Sequence, residues 1–400
     1  MKHLLALSTL YPNAVQPRFG TFVARSLEAL ARRGDWQVTL VNPIGLAPLA
    51  LGRYRPLADL PAESVEGGIT IHRPHFTLIP RIGARRNAAA IARAVLPLVQ
   101  HIHAENPIDV LDAQFFFPDG PAAAEIARAM RLPLSIKARG SDITYWGKQG
   151  FAREQMLEAA RSANGLLAVS RDLAARMTKL GMDADKITVH YTGLDRDRFR
   201  PLDHLQLRNQ LAREIGFAMP DNAPLIACVG ALIERKGQAI AIAALTMVPG
   251  ARLVLVGKGE EEAQLRALTA SLGLTERVHF AGSIDHDLMP LILSAADVMV
   301  LPTASEGLAN VWVEALACGT PVVTCDVGGA RELITSETAG RLVERTPEAV
   351  AAGITALLND PPPREAVAAL TEGFSWDANA AALAAHYERL VDQENQPRSS

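Results

Sequence analysis

Two carboxylates eight residues apart, Glu306 and Glu314, bracket the densest chemical signal in this 400-residue chain. They lie in Ser305-Glu306-Gly307-Leu308-Ala309-Asn310-Val311-Trp312-Val313-Glu314. The segment follows an apolar run at Val298–Leu301 and leads into a helical pattern at Val311–Ala317. A glycine just after a strand lets backbone N–H groups come close to a ligand. The start of a helix beside it offers unpaired donors and a positive dipole end. That arrangement suits a phosphate. Eight helical residues would rise about 12 Å. The paired carboxyls of glycoside hydrolases stand roughly 5–9.5 Å apart, so such hydrolysis is disfavoured. Two separate tasks along one extended ligand fit better, one Glu on a sugar and one on a ribose. The plainer alternative has Glu306 capping the helix and Glu314 as an exposed helical charge.

Other possible sites are weaker. Asp195-Arg196-Asp197 and Asp285-His286-Asp287 have the form of an Asp-x-Asp metal motif, but three-residue matches arise by chance. Gly257-Lys258-Gly259 lacks the third glycine of a dinucleotide loop, because Glu262 holds its place, and reads as a turn lining the nucleotide base. Ser170 follows a strand without the flanking glycines of a nucleophile elbow and reads as an N-cap. No His or Cys spacing suggests zinc. Cys228, Cys318 and Cys325 sit in apolar runs and read as reduced core thiols, as expected of a cytoplasmic protein.

The elements that must position these residues alternate. Apolar runs at Leu4–Leu7, Val38–Val41, Val110–Leu111, Leu134–Ile136, Leu166–Val169 and Ile187–Val189 predict strands. Helical patterns at Phe22–Arg32, Ala88–His101, Ala122–Met130, Arg153–Arg161 and Asp172–Leu180 fall between them. The alternation restarts near Pro224 with strands at Leu225–Val229, Leu253–Val256, Val278–Phe280, Val298–Leu301 and Pro321–Thr324. Helices are expected at Gln238–Leu245, Glu260–Leu272, Leu288–Ser294, Val311–Ala317 and Glu348–Leu358. This order predicts α/β architecture with parallel sheets covered on both faces. A hydrophobic fraction of 49% with 21% charged and 5% aromatic residues suits it and excludes disorder or coiled coil. The expected layout is residues 1–195, residues 196–373, a helix over 374–391 returning to the first domain, and a frayed tail at 392–400. Two doubly wound domains would leave a cleft at their strand ends. The Met1–Leu7 start reads as a buried strand, and no apolar stretch approaches the roughly 20 residues of a membrane span.

Charge is uneven. Residues 1–200 hold 26 Lys and Arg against 18 Asp and Glu, and residues 201–400 hold 14 against 25. A basic first half suits anionic lipid or a phosphorylated acceptor, although scattered Arg on solvated helices gives the same count. Nucleic acid is disfavoured for lack of a basic-aromatic platform.

The 305–323 segment also resembles glycosyltransferase family 4, the retaining GT-B enzymes, in its Glu-seven residues-Glu spacing. Its continuation through Ala317-Cys318-Gly319-Thr320-Pro321 to Gly328-Gly329 and Glu332 is similar to that family's donor domain. Val229-Gly230-Ala231-Leu232-Ile233-Glu234-Arg235-Lys236-Gly237 looks like its diphosphate-binding turn. Ser8–Gly34 looks like its first acceptor-domain unit, Thr192-Gly193-Leu194-Asp195 like its interdomain segment, and Phe374-Ser375-Trp376 like the start of its returning helix. The resemblance implies two Rossmann-like domains and retaining transfer of a sugar, UDP-linked by preference, to a glycan or lipid-linked oligosaccharide. Gly-Ala-Leu and Arg-Gly-Ser-Asp variants point to polysaccharide-building relatives of the teichuronic-acid and colanic-acid types. The enzyme is expected to need no cofactor or metal, and the basic first half without a membrane span allows a cytoplasmic protein to attach to the inner membrane leaflet.

By the same resemblance Glu306 touches the donor sugar, and Gly307, Leu308, Ala309 and Asn310 hold sugar and phosphate oxygens. Glu314 takes the ribose. Gly230, Arg235 and Lys236 line the diphosphate, and Gly20 lets the first loop approach it. Two departures matter. Ala231 stands where the family usually has Arg, and Arg139-Gly140-Ser141-Asp142 replaces a His-Gly-x-Asp element. Arg139 is therefore a candidate to supply the missing charge across the cleft, the alternative being an Arg139–Asp142 surface pair. Arg235 is a less certain substitute, since neighbours on a helix diverge by about 100°. An epimerase of the same fold, or a silent nucleotide-binding relative, would carry many of the same motifs.

Overall fold

The computed structural model describes residues 1–47, 52–79, 83–202, 204–217, 220 and 223–395. The chain forms two compact units. One is Met1–Gly193 with the helix Trp376–Asn395, and the other is Leu194–Ser375.

In the second unit six parallel strands are described. Their order is Val278–Gly282, Arg252–Val256, Leu225–Val229, Val298–Leu301, Val322–Cys325 and Gly340–Val343. Numbered along the chain this is 3-2-1-4-5-6, a doubly wound sheet with its reversal between Leu225–Val229 and Val298–Leu301. Helix Gln238–Ala244 packs with Glu262–Ser271 and Pro347–Asn359, and Asn310–Ala317 packs with Met289–Ala295 and Arg364–Ala369. The strands read as unbroken apolar runs because they are covered on both faces.

The first unit winds the same way. Its described sheet has eight strands, in the order Ile187–Val189, Gly165–Ala168, Leu134–Ala138, Val110–Ala113, Lys2–Leu7, Trp36–Val41, Ile69–His72 and Glu63–Glu66. All neighbours are parallel except the last pair. Glu63–Glu66 and Ile69–His72 form a hairpin across Gly67-Gly68, both at positive φ. Helix Trp376–Asn395 completes the core: Leu383, Ala384 and Tyr387 pack with Val23, Leu27, Trp36 and Val38. Tyr387 meets Trp36 edge-on at 5.6 Å. Asn379 ties this helix down, accepting from Ser26 at 2.8 Å and donating to the Tyr191 carbonyl at 2.6 Å.

Several expectations need correction. Residues 204–215 form a helix that the expected elements do not include. The helix expected at Ala88–His101 runs from Ala84 to Glu105, because its polar first turn hides the start. The last helix continues through Asn395, so 392–395 is not frayed; 396–400 lies outside the described residues. Strand Gly340–Val343 went unread because glycine and arginine interrupt its apolar run. Among the described residues no helix is long and apolar enough to cross a membrane.

One consequence can be measured. Burial, with Arg389 and Lys137 nearby, pulls the His386 imidazole down to about 3. Unfolded, it titrates near 6.5. Between those values the unfolded chain takes a proton that the folded unit refuses, so this group makes stability fall as pH drops below 6.5. Denaturant unfolding of His386→Gln at pH 7 and pH 5 is expected to show an acid-induced loss smaller than the parent's by up to about 2 kcal/mol. Equal losses would refute this.

Candidate functional site

The strand-order reversal of the second unit gathers two loops. One follows Leu225–Val229 and carries Gly230, Arg235 and Lys236; the other follows Val298–Leu301 and carries Thr303 and Glu306. Gly237 ends the Glu234–Lys236 turn at φ +77, and a Cβ there would stand 2.2 Å from the Pro302 carbonyl oxygen. The loops therefore touch backbone to backbone. The Ala304 N–H donates to the Arg235 carbonyl at 2.8 Å. Arg345, beyond the last strand, clamps both loops, donating to Pro302 O at 3.0 Å and Glu234 O at 2.9 Å.

Three donors converge on one oxygen. Glu306 Oε1 accepts from Lys236 Nζ at 2.6 Å, Thr303 Oγ1 at 3.0 Å and Arg235 at 3.1 Å. The Lys236 and Glu306 side chains are only 15% and 12% exposed, whereas Arg235 is 44% exposed. Arg235 also donates to the Ser305 carbonyl. The divergence expected of helical neighbours is overcome here, since Arg235 and Lys236 lie on a short 3-10 turn and reach the same carboxylate.

Glu306 does not cap the helix. Helix Asn310–Ala317 starts four residues later, with Ala309 at its N-cap and no side-chain cap bond. Only part of the Glu306–Glu314 interval is therefore helical, and the fully helical 12 Å estimate does not apply. The N–H groups of Gly307, Leu308, Ala309 and Asn310 have no acceptor among the described residues. The Gly329 N–H donates to Gly307 O at 2.7 Å, holding the loop from the far side. Gly328 has φ +55, and a Cβ on it would fall 2.2 Å from Glu306 O. Glu314 is not an exposed helical charge. Its side chain is 16% exposed and lies 3.6 Å from His286 Nε2.

In the first unit, Gly20 at φ +75 precedes helix Thr21–Arg32, and a Cβ there would meet the Leu10 carbonyl carbon at 2.5 Å. It lets the first loop fold back on itself. The Arg139 guanidinium is held inside its own unit, donating to the Gln114 carbonyl at 2.9 Å and to the Gln114 side chain, and lying 4.7 Å over the Phe22 ring. Burial lowers it to about 10, which leaves it a cation at neutral pH. Asp142 bonds the Arg139 N–H, with those of Phe116, Gly140 and Ile143, so the surface pair is replaced by a buried backbone clasp. Asp119 receives the Thr9 N–H and hydroxyl at 2.9 and 2.8 Å, and burial together with nearby Asp142 raises it to about 7.

Sequence reasoning missed Thr303, Arg345, His286 and Gln114. Each acts through a contact across 3 to 111 residues, and only Thr303 had a local signal, a hydroxyl between the strand end and Glu306. The Asp-x-Asp sequences are turns. Asp195 accepts from the Arg198 N–H at 3.3 Å, and Asp285 from the Asp287 N–H at 3.1 Å. Ser170 caps its helix through the Leu173 N–H. Burial pushes the Cys228 and Cys318 thiols up to about 12.

Comparison with known proteins agrees across both units. Residues 20–198 match the family model Glycosyltransferase Family 4, and residues 214–398 match Glycosyl transferases group 1. The chain is similar to the putative teichuronic acid biosynthesis glycosyltransferase TuaC of Bacillus subtilis, 28% identical over 364 residues, 88% of each chain. It is also similar to the lipopolysaccharide core biosynthesis glycosyltransferase LpsE of Rhizobium meliloti, 30% identical over 76% of this chain and 74% of that one. Sucrose-phosphate synthase of Thermosynechococcus elongatus shares the fold at TM-score 0.76 and 23% identity, covering 98% of this chain and all of that one. HepE of Anabaena, in complex with UDP and glucose, shares it at TM-score 0.69 and 22% identity over 99% of this chain and all of that one.

The packing around Gly328 is directly testable. In Gly328→Ala, the added methyl is expected to unseat the Glu306 loop and raise amide hydrogen exchange over residues 303–310. Protection of the Leu225–Val229 and Val298–Leu301 strands should persist. Unchanged exchange over 303–310 would show that the contact does not hold the loop.

Proposed function

This chain belongs to glycosyltransferase family 4, and we propose that it moves a hexose from a nucleoside diphosphate sugar to a glycan or lipid-linked oligosaccharide, with retention, in building a cell-surface polysaccharide. The observation that carries the donor assignment is the convergence of Lys236 and Arg235 on Glu306, beside the unpaired N–H groups of 307–310. Cations and N–H donors fixed at a sheet's switch point suit a diphosphate. Glu306 takes hydroxyls of the donor sugar, and Glu314 takes those of the ribose. Gly257-Lys258-Gly259 lines the base. UDP is the favoured nucleotide, in keeping with HepE's complexes. The names of TuaC and LpsE favour a polymer or lipid-linked acceptor.

The transfer is proposed as follows. The bond from the anomeric carbon to the diphosphate oxygen breaks, and its electron pair goes to the leaving diphosphate. The acceptor hydroxyl oxygen bonds the same face of that carbon and gives its proton to a diphosphate oxygen. Charge on the diphosphate grows along this path, so Lys236, Arg235 and the loop N–H groups stabilise the transition state more than the bound donor. Arg235 supplies within one unit the second cation absent at Ala231, and Arg139 is not needed for that task. No metal or cofactor enters the scheme. A basic first half suits an acceptor at an anionic inner leaflet, so flotation with anionic vesicles at low salt is expected to carry the protein up; protein left in the soluble fraction would argue for a soluble acceptor.

A thermal-shift panel of UDP, GDP, ADP and CMP, each with and without EDTA, tests the donor assignment. At 100 times its dissociation constant a ligand adds about 2.7 kcal/mol, which should raise the midpoint by a few degrees in a chain of this size. Stabilisation by UDP, indifferent to EDTA and lost in Lys236→Ala, is the expected result. No shift with any nucleotide would favour a silent relative.

A further inference from the structure

We propose that Glu306 competes with the donor's diphosphate for Lys236, and that this competition makes the site prefer intact donor over the nucleoside diphosphate it releases. The inference rests on the donor assignment above. Lys236 Nζ sits 2.6 Å from Glu306 Oε1, with both side chains largely withdrawn from water. A charge-assisted bond of this kind is strong, and breaking it leaves two poorly hydrated charges. A diphosphate that draws away Lys236, and the half-exposed Arg235 with it, leaves Glu306 with only Thr303.

The two ligands differ in what they offer Glu306 in return. An intact donor brings sugar hydroxyls, whose O–H groups donate to the carboxylate and replace the lost ammonium. A free nucleoside diphosphate brings no hydroxyl to that oxygen, and its terminal phosphate adds negative charge beside it. Once the sugar has moved to the acceptor, Glu306 loses its hydroxyl donors and reclaims Lys236. The diphosphate is then held by fewer cations and leaves. Thr303 keeps the carboxylate aimed at Lys236 throughout, since its buried hydroxyl donates its one proton to Glu306 Oε1 at 3.0 Å.

The experiment is titration calorimetry of UDP and UDP-glucose, repeated with GDP and GDP-mannose, on the full chain and four variants. The parent is expected to bind the intact donor more tightly than the diphosphate. Lys236→Ala should weaken both at least tenfold. Glu306→Gln keeps the shape but removes the charge. It should tighten the diphosphate about tenfold and weaken the intact donor, inverting the order. Glu306→Asp, which withdraws the carboxylate by one methylene, should tighten the diphosphate to a lesser extent and covers the case in which Glu306→Gln does not fold. In the Lys236→Ala background, Glu306→Gln should no longer tighten the diphosphate. Folded Glu306 variants that bind the diphosphate no better than the parent would overturn the proposal. A parent that binds neither nucleotide pair, or a Lys236→Ala that binds as well as the parent, would instead overturn the donor assignment itself.

Discussion

Two neighbouring strands of the second unit, Leu225–Val229 and Val298–Leu301, send their chains into different helical layers of the sheet. Between the departing segments the backbone cannot close over the strand ends, and a gap lined by unpaired polar groups is left there. The side chains proposed to bind the donor flank this gap. Lys236 comes from one side and Glu306 from the other. Glycine is required at two close backbone approaches, at Gly237 where the two sides meet and at Gly328 on the loop after Val322–Cys325, because a methyl group there would fall on a carbonyl oxygen. Arg345 then fixes the spacing, holding one carbonyl on each side with a single planar group. The Lys236–Glu306 pair is thus a product of strand order, and the family membership of the chain names a geometry that its winding already requires.

The GT-B architecture expected of the chain is the one found, with two doubly wound units. It was legible because parallel strands buried on both faces leave unbroken runs such as Leu253–Val256 and Val298–Leu301. Glu306 and Glu314 were legible through spacing and a neighbouring glycine. Their surroundings were not. His286 reaches Glu314 from 28 residues upstream, and Arg345 reaches Glu234 across 111. No local pattern encodes such contacts. The hairpin at Gly67-Gly68 had a local signal in its paired glycines, but Glu63–Glu66 is a polar edge strand and does not read as apolar. The helix at 204–215 was hidden by its polar character in the same way.

The first unit carries its polar groups differently. The second unit gathers charge at loops where water and ligands can reach it, whereas the first buries Asp112, Lys137 and His190 beneath its last helix, together with His386 on that helix. Lys137 Nζ lies 2.5 Å from His190 Nδ1, and His190 Nε2 lies 2.9 Å from the Asn379 carbonyl. Burial pushes Lys137 down and Asp112 up, so both are driven toward their neutral forms. Such a cluster is tolerable only while every member keeps its partners, which makes the helix bearing Asn379 and His386 a condition of the sheet beneath it.

That helix lies at the far end of the sequence. Residues 194–375 are an insertion within the first unit, whose core needs Leu383 and Tyr387 before Trp36 and Leu27 are covered. On the ribosome the chain emerges from its amino end, at about 5–20 residues per second. The second unit is therefore complete while the unit that began first still lacks its closing helix. For roughly 9–36 s at that rate the nascent first unit must hold an unfinished apolar face and a half-assembled set of buried polar groups, and the piece that finishes it comes only after an entire second unit has been made.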